Sequence, residues 1–142
     1  RKEFEDLFDF RLLVEPEGAR LAALNMTPEA LAHIEEIAAD MAHGEPPVDR
    51  STRYSRFARI DAIFHDEIMR IAGNEVMRST LFNQHVHLHL FRLMVHSRVT
   101  QEALEEHELL LDAFREGNPD AAYAAMRNHI QRSRDRLMLA FD

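Results

Sequence analysis

The stretch DAIFHDEIMRIAGN, residues 61–74, decides the fold class of this chain. Apolar residues in and just before it recur three and four positions apart, as on one face of an α-helix. These residues are Phe57, Ile60, Phe64, Ile68 and Ile71. Gly73 then stops the helix and Asn74 caps the next one. The same periodicity continues nearly end to end without a convincing strand, so the sequence predicts an all-α protein.

Helix start and stop signals divide the chain into six helices joined by short loops, which predicts an antiparallel bundle of six to seven helices. The predicted ranges are 3–25, 27–44, 51–72, 74–97, 100–117 and 118–141, with a loop at 45–49. Thr27, Thr100 and Asn118 are the expected caps of the second, fifth and sixth helices. Pro16 lies inside the first helix, where we expect it to kink or split the helix.

Composition limits the classes of protein to which the chain can belong. Its 142 residues, 46% hydrophobic and 30% charged, predict one domain with a real core rather than a disordered chain. A net charge of −8 argues against a nucleic-acid-binding surface on this chain itself. No apolar run approaches the roughly 18 residues of a membrane span. The absence of cysteine is compatible with the cytoplasmic location that we expect.

Four ionisable residues fall on the apolar faces of three predicted helices. Asp61 and His65 lie one turn apart on the third helix, His107 on the fifth and His129 on the sixth. A core-facing ionisable group is costly unless it is paired or bound to a metal. For Asp61 and His65 alone, a buried hydrogen-bonded pair is the alternative. Three imidazoles and one carboxylate together favour a divalent metal such as Zn, Ni, Mn or Fe.

The chain also resembles a known family, the FCD effector domain (FadR C-terminal domain) of GntR-type bacterial transcription regulators. Three motifs in order carry the resemblance, which covers nearly all of residues 1–142. They are FRLLVEPEGARLAA at 10–23, DAIFHDEIMRIAGN at 61–74 and EEHELLLDAFREGNPDAAYAAMRNHI at 105–130.

The resemblance implies a helical bundle that binds a small carboxylate effector and works as a homodimer. In metal-containing members one Asp and three His hold the ion, and the matching positions are Asp61, His65, His107 and His129. DNA would be bound only through an N-terminal winged helix-turn-helix domain. That domain is absent from these residues, and the start at Arg1 inside a predicted helix suggests a piece of a longer protein.

Arg11, His89 and Arg92 are the candidate effector-binding residues. Arg11 matches an arginine of the family's first motif, and its guanidinium would grip a carboxylate as a fork. The equal alternative is an ion pair with Glu15 one turn later. His89 and Arg92 share a face of the fourth helix, which could line the pocket or form a solvated or dimer-facing stripe. Glu105 or Glu106 could support the ring of His107.

These observations favour a metal-containing sensor domain that is not an enzyme. A metal-dependent enzyme with a His₃Asp site and a purely structural metal bundle are the alternatives. Against an enzyme, the sequence offers no obvious general base besides the four ligands and the fourth-helix histidines, and it has no nucleotide-binding or nucleophile motif.

Overall fold

A computed structural model describes residues 1–43, 50–86 and 99–141, with the backbone alone at 50–55, 99, 100 and 140. Six α-helices and no strand lie in these described residues. They are α1 (Lys2–Asn25), α2 (Pro28–His43), α3 (Arg50–Ala72), α4 (Glu75–Phe82), α5 (Val99–Arg115) and α6 (Pro119–Met138), followed by a 3₁₀ turn at Leu139–Phe141. The predicted all-α class is confirmed.

The central helix α1 packs along α6 and α3, and α5 packs along α6. Their facing sides bury large apolar side chains, which supply most of the driving force for folding. The most deeply buried include Phe8, Phe64, Ile68, Leu110 and Ile130, each with no exposed surface. The apolar stripes that predict the helices are therefore the surfaces along which the helices meet.

A close approach of α1 and α3 aligns the parts of these helices that carry polar groups. A Cβ atom added to Gly18 would lie 2.3 Å from Sδ of Met69, so only a glycine fits here without movement of the methionine. Glu15 lies about one turn before Gly18, and His65 one turn before Met69. This contact therefore brings the middle of α1 against the part of α3 that carries His65.

Most of the predicted helix boundaries are confirmed. Gly73 and Gly117 have φ angles of +85° and +62°, the left-handed conformation that a side chain disfavours. The side chains of Asn74 and Asn118 accept hydrogen bonds from backbone N–H groups three residues later, at 3.1 and 3.0 Å. Thr27 accepts one from Ala30 at 3.1 Å. Short, capped turns therefore join α3 to α4, α5 to α6 and α1 to α2.

The structure corrects the first and fifth helices. α1 continues through Pro16 without interruption, so the predicted split does not occur. Pro16 cannot donate a hydrogen bond to the carbonyl one turn earlier, but packing of α1 against α3 and α6 holds the helix on both sides of it. α5 is already helical at Val99, so Thr100 lies inside its first turn and is not the N-cap.

The fourth helix is the larger correction, because α4 ends at Phe82 instead of continuing to residue 97. The backbone tightens there, and Gln84 and His85 donate to carbonyls only three residues earlier. His85 then takes a φ angle of +52°, which no regular right-handed helix contains. Residues 87–98 and the predicted loop at 45–49 lie outside the described residues.

A search of the described residues for helices long and apolar enough to cross a lipid bilayer finds none.

Candidate metal centre

Asp61, His65, His107 and His129 form one buried cluster between α3, α5 and α6. Each side chain offers one ligand atom, and the four atoms lie within 4.8 Å of one another. None of the four residues is more than 7% exposed. Asp61 Oδ1 lies 3.4 Å from Nε2 of His65 and 3.2 Å from Nε2 of His107. The structure thus brings together the four residues that the apolar stripes single out.

Glu15 of α1 fixes the ring of His65 from behind. Its Oε1 lies 2.6 Å from Nδ1 of His65, and its Oε2 accepts a hydrogen bond from Arg11. Burial alone would raise the pKa of Glu15, but Arg11 and His65 outweigh burial and lower the pKa to about 2. Glu15 is therefore a carboxylate, and the tautomer of His65 that suits it carries a proton on Nδ1.

Glu106 of α5 fixes the ring of His129 in the same way. Its Oε1 lies 2.8 Å from Nδ1 of His129, and both of its oxygens accept hydrogen bonds from Arg136. Burial would raise the pKa of Glu106, but Arg136 and His129 lower it to about 2. Glu106 is one of two residues, with Glu105, that the sequence offers as support for the ring of His107. It supports His129 instead, because consecutive helical residues point about 100° apart.

His107 differs from the other two histidines, since neither of its ring nitrogens has a hydrogen bond of good geometry among the described residues. Its ring packs against Phe64, with centroids 4.6 Å apart. Burial lowers the pKa of His107 despite the nearby Asp61 carboxylate. An unpaired, neutral and buried imidazole is costly in a protein core unless a ligand or ion occupies its lone pair.

Nε2 of His65 faces Nε2 of His129 at 3.3 Å, although each ring is held by a carboxylate at its Nδ1. Two bare lone pairs would repel at this distance, so the protein alone needs a proton between them. Burial by itself would lower the pKa of His65, but Asp61 and Glu15 raise it to about 9. Burial lowers that of His129 to about 4. The opposite directions of these two pKa shifts agree with a single proton between the two Nε2 atoms.

The cluster fits a divalent ion by its chemistry and its dimensions. Imidazole nitrogens bind Zn at about 2.0–2.1 Å, which places the ligand atoms about 3 to 4 Å apart around a shared ion. Three of the separations among these atoms, at 3.2 to 3.4 Å, lie in that range. Carboxylates on the outer nitrogens of metal-binding histidines are typical of metal sites. Glu15 and Glu106 occupy this position for two of the three rings.

A cavity of about 350 Å³ adjoins Asp61 and His65, and it is lined by parts of α1, α3 and α4. Arg11 lies in its wall, only 2% exposed, with its guanidinium 5.0 Å from the ring centroid of Phe8. Nη1 of Arg11 has no hydrogen-bond partner in the part of the chain that the structure describes. The pair with Glu15 and a place in the cavity wall are therefore both present, and the two sequence interpretations of Arg11 are compatible.

The remaining predicted site residues have a different outcome. His89 and Arg92 lie outside the described residues, and their part in effector binding stays a prediction. From the sequence alone, Glu15 has no role beyond its pair with Arg11, and Glu105 or Glu106 is linked to the ring of His107 rather than to that of His129. The carboxylates lie 50 and 23 residues from the histidines they bind. Only the packing of α1 on α3 and of α5 on α6 shows these pairs.

Comparison with known proteins places the chain in a family. Residues 6–132 match the FCD domain family, so the chain belongs to that family. It is 28% identical over 115 residues to the "Uncharacterized HTH-type transcriptional regulator YieP" of Escherichia coli strain K12, covering 81% of this chain and 48% of that protein. The chain thus spans about half the length of this curated relative.

Two solved structures are similar. "Streptococcus agalactiae GntR" is 31% identical with a TM-score of 0.76, and the match covers 93% of this chain and 58% of that one. "E. coli McbR/YncC" has a TM-score of 0.80 at 14% identity, covering 98% of this chain and 69% of that one, and shows likeness of fold alone. These findings confirm the resemblance to the FCD effector domain of GntR-type regulators.

Proposed function

We propose that this FCD domain is a sensor that holds one divalent ion, Zn, Ni, Mn or Fe, and binds a small organic acid beside it. The ion would be held by Asp61, His65, His107 and His129. The observation that carries the proposal is the convergence of three imidazole nitrogens and one carboxylate oxygen at a buried point. A bound ion would supply open coordination positions suited to a carboxylate.

The protein's own residues give the cavity its preference for an anion. Arg11 is a lining residue of the cavity, its Nη1 is buried and has no partner among the described residues, and a buried guanidinium binds a carboxylate by charge-assisted hydrogen bonds. Glu15 holds Arg11 and His65 at once. Through Glu15, the residue that binds the acid and a residue that binds the ion are fixed relative to each other.

In the parent protein, we propose, acid binding changes the relative populations of two arrangements of a homodimer. The effect would reach DNA through a separate N-terminal domain, in a cytoplasmic regulator. Two-fold symmetry suits a protein that reads two DNA half-sites.

We favour a sensor over an enzyme because the described part of the cavity lining offers no free general base. Among the described lining residues, each carboxylate already has a cationic partner or belongs to the metal cluster. Glu15 pairs with Arg11, Asp66 with Arg78 and Glu67 with Arg70. A turnover assay that detects no reaction of a bound acid would agree with this assignment.

Elemental analysis tests the metal site. The purified chain should carry one ion per molecule, and the His107→Ala/His129→Ala variant should carry close to none. The variant should also lose the rise in Tm that metal gives, since an ion that binds only the folded state stabilises it by mass action. His33→Ala removes an exposed histidine of α2 and is the control. Equal metal content in the double variant and the wild type would refute the site.

Calorimetry with a panel of small carboxylic acids tests the acid site. Losing a buried charge-assisted contact typically costs about 2–5 kcal/mol, so Arg11→Ala should weaken binding at least roughly tenfold. Metal-stripped protein should bind more weakly still. Arg127→Ala removes an exposed arginine of α6 outside the cavity and should leave binding unchanged. Undiminished affinity in Arg11→Ala, or in metal-stripped protein, would leave the ion a structural role.

A further inference from the structure

Arg59 of α3 is an unpaired cation in the wall of the effector cavity. It is exposed, and it makes no side-chain hydrogen bond or ion pair to any residue whose side chain the structure describes. Its neighbour Arg56 donates to a backbone carbonyl of α2, at Asp40, and lies outside the cavity. Arg59 thus contributes a positive charge to the cavity that no described carboxylate neutralises.

The carboxylates of the described wall outside the metal cluster each have a cationic partner. Arg78 binds both oxygens of Asp66 at 2.9 and 3.0 Å. Arg70 binds both oxygens of Glu67 from outside the cavity. With these carboxylates neutralised, the unmet hydrogen-bonding capacity of the described wall belongs to donors, the Arg59 guanidinium and Nη1 of Arg11. A ligand with an anionic oxygen at each end would satisfy both donors and neutralise the charge of Arg59.

Arg59 lies on a different face of α3 from the metal cluster, and therefore apart from the site that we propose for a carboxylate beside Arg11. Arg59, Ala62, Ile63 and Asp66 follow the i, i+3, i+4, i+7 pattern of one helical face, and all four line the cavity. Asp61 and His65 lie on the adjacent face and border the cavity from the buried side. Much of the other lining is apolar, from Ala62, Ile63, Leu81, Phe82 and Val86.

We propose that the effector carries two anionic groups, as in a short-chain dicarboxylate. This inference rests on the proposed function: one carboxylate lies beside Arg11 and the metal cluster, and the second binds Arg59 at the exposed side of the cavity. The apolar lining packs against the carbon chain between them. A cavity of about 350 Å³ is at the small end of ligand sites, which suits an acid of about four to six carbons.

Arg59 then selects dicarboxylates over monocarboxylates of the same length. Because its side chain is exposed, water and salt screen the contact, and we expect an advantage of about three- to tenfold. That is smaller than the effect expected of buried Arg11, which acts on every acid that binds.

The test is calorimetry on the metal-loaded chain with matched pairs of acids: butyrate and succinate, pentanoate and glutarate, hexanoate and adipate. The dicarboxylate should bind more tightly in at least one pair, and Arg59→Ala should abolish that advantage by weakening dicarboxylate binding more than monocarboxylate binding. Arg127→Ala, which removes an exposed arginine outside the cavity, should preserve it.

Two results would overturn the inference but not the proposed function. One is equal affinity within every pair together with binding that depends on Arg11 and metal. The other is a dicarboxylate advantage that survives Arg59→Ala. If no acid of either kind binds the metal-loaded chain, the proposed function fails and the inference fails with it.

Discussion

Two networks of charged side chains in this molecule have the same chemistry, but one is buried and the other is exposed to water. Arg11, Glu15 and His65 form a chain of contacts inside the bundle, where the side chains of Arg11 and Glu15 are 2% and 1% exposed. Arg115 joins three carboxylates at the surface, at 2.7 to 3.1 Å, and its side chain is 36% exposed. By distance alone, the surface network has as many good contacts as the buried one.

The difference lies in what surrounds the charges. Water weakens the attraction between Arg115 and its carboxylates, and it solvates a charged group whose ion pair is broken. Such exposed pairs therefore contribute little to the stability of the fold. Inside the bundle, an unpaired charge has no water to replace its partner, so removing one member is strongly unfavourable. A buried network is also a poor way to gain stability compared with an apolar core. Its presence here is better explained by the site that it orients.

Glu15→Gln should have the largest effect, because it breaks the buried network at its centre. Breaking a buried ion pair typically costs about 3–5 kcal/mol, and urea unfolding of the metal-free chain should show a loss of that order. Metal affinity should fall about 10- to 100-fold, since the glutamine side chain is neutral and no longer places a negative charge beside Nδ1 of His65. Acid binding should weaken as well, because Glu15 also holds Arg11.

Glu17→Gln is the matched control on the same helix. Glu17 pairs with Arg20 three residues later, and its side chain is 39% exposed. The control should lose less than about 1 kcal/mol and keep its metal affinity. Similar losses in both variants would mean that burial does not separate the two networks.

Glu106→Gln should have an intermediate effect. It should lower metal affinity about tenfold or more through His129, as in other sites where the outer partner of a ligand is lost. The loss of stability should be smaller than for Glu15→Gln, because Arg136 keeps a contact to the exposed Glu102 at 3.2 Å. Titration of a metal ion into the apo chain measures the first effect and urea unfolding the second.

Glu105→Gln controls for this variant, since Glu105 is the exposed neighbour that the sequence could not separate from Glu106. Only the buried residue should change metal affinity. A drop in metal affinity for Glu105→Gln alone would reverse the assignment of the supporting carboxylate.

The sequence predicted the buried cluster of one aspartate and three histidines well because helical periodicity indicates burial without any knowledge of partners. His107 and His129 fall on apolar stripes, and a polar residue on such a stripe must find a partner in the core. It predicted the helix stops at Gly73 and Gly117 for a local reason too, since their left-handed conformation suits glycine.

The sequence failed where the outcome depends on long-range packing or on an unusual backbone. The stop after Phe82 has no glycine or proline, and His85 adopts a positive φ angle that its residue type does not signal. The contact of Glu15 with His65 joins helices 50 residues apart in sequence. Periodicity placed both residues in helices but could not show that they meet.

Arg115→Ala should have the smallest effect, and it tests the surface side of the comparison. Its partner Glu35 lies on α2 and the others, Glu108 and Asp112, on α5, so the variant removes a link between two helices. Even so, exposed pairs contribute about 0–1 kcal/mol each, and the freed carboxylates are solvated at once. We expect a loss of about 1 kcal/mol that shrinks as salt rises, because the Debye length falls to about 3 Å at 1 M. Urea unfolding at low and high salt measures it, with Glu15→Gln as the comparison whose loss should change little. If Arg115→Ala instead lowered the free energy of unfolding by about 3 kcal/mol at every salt concentration, the surface network would be shielded from water. Burial would then not explain the contrast between the two networks.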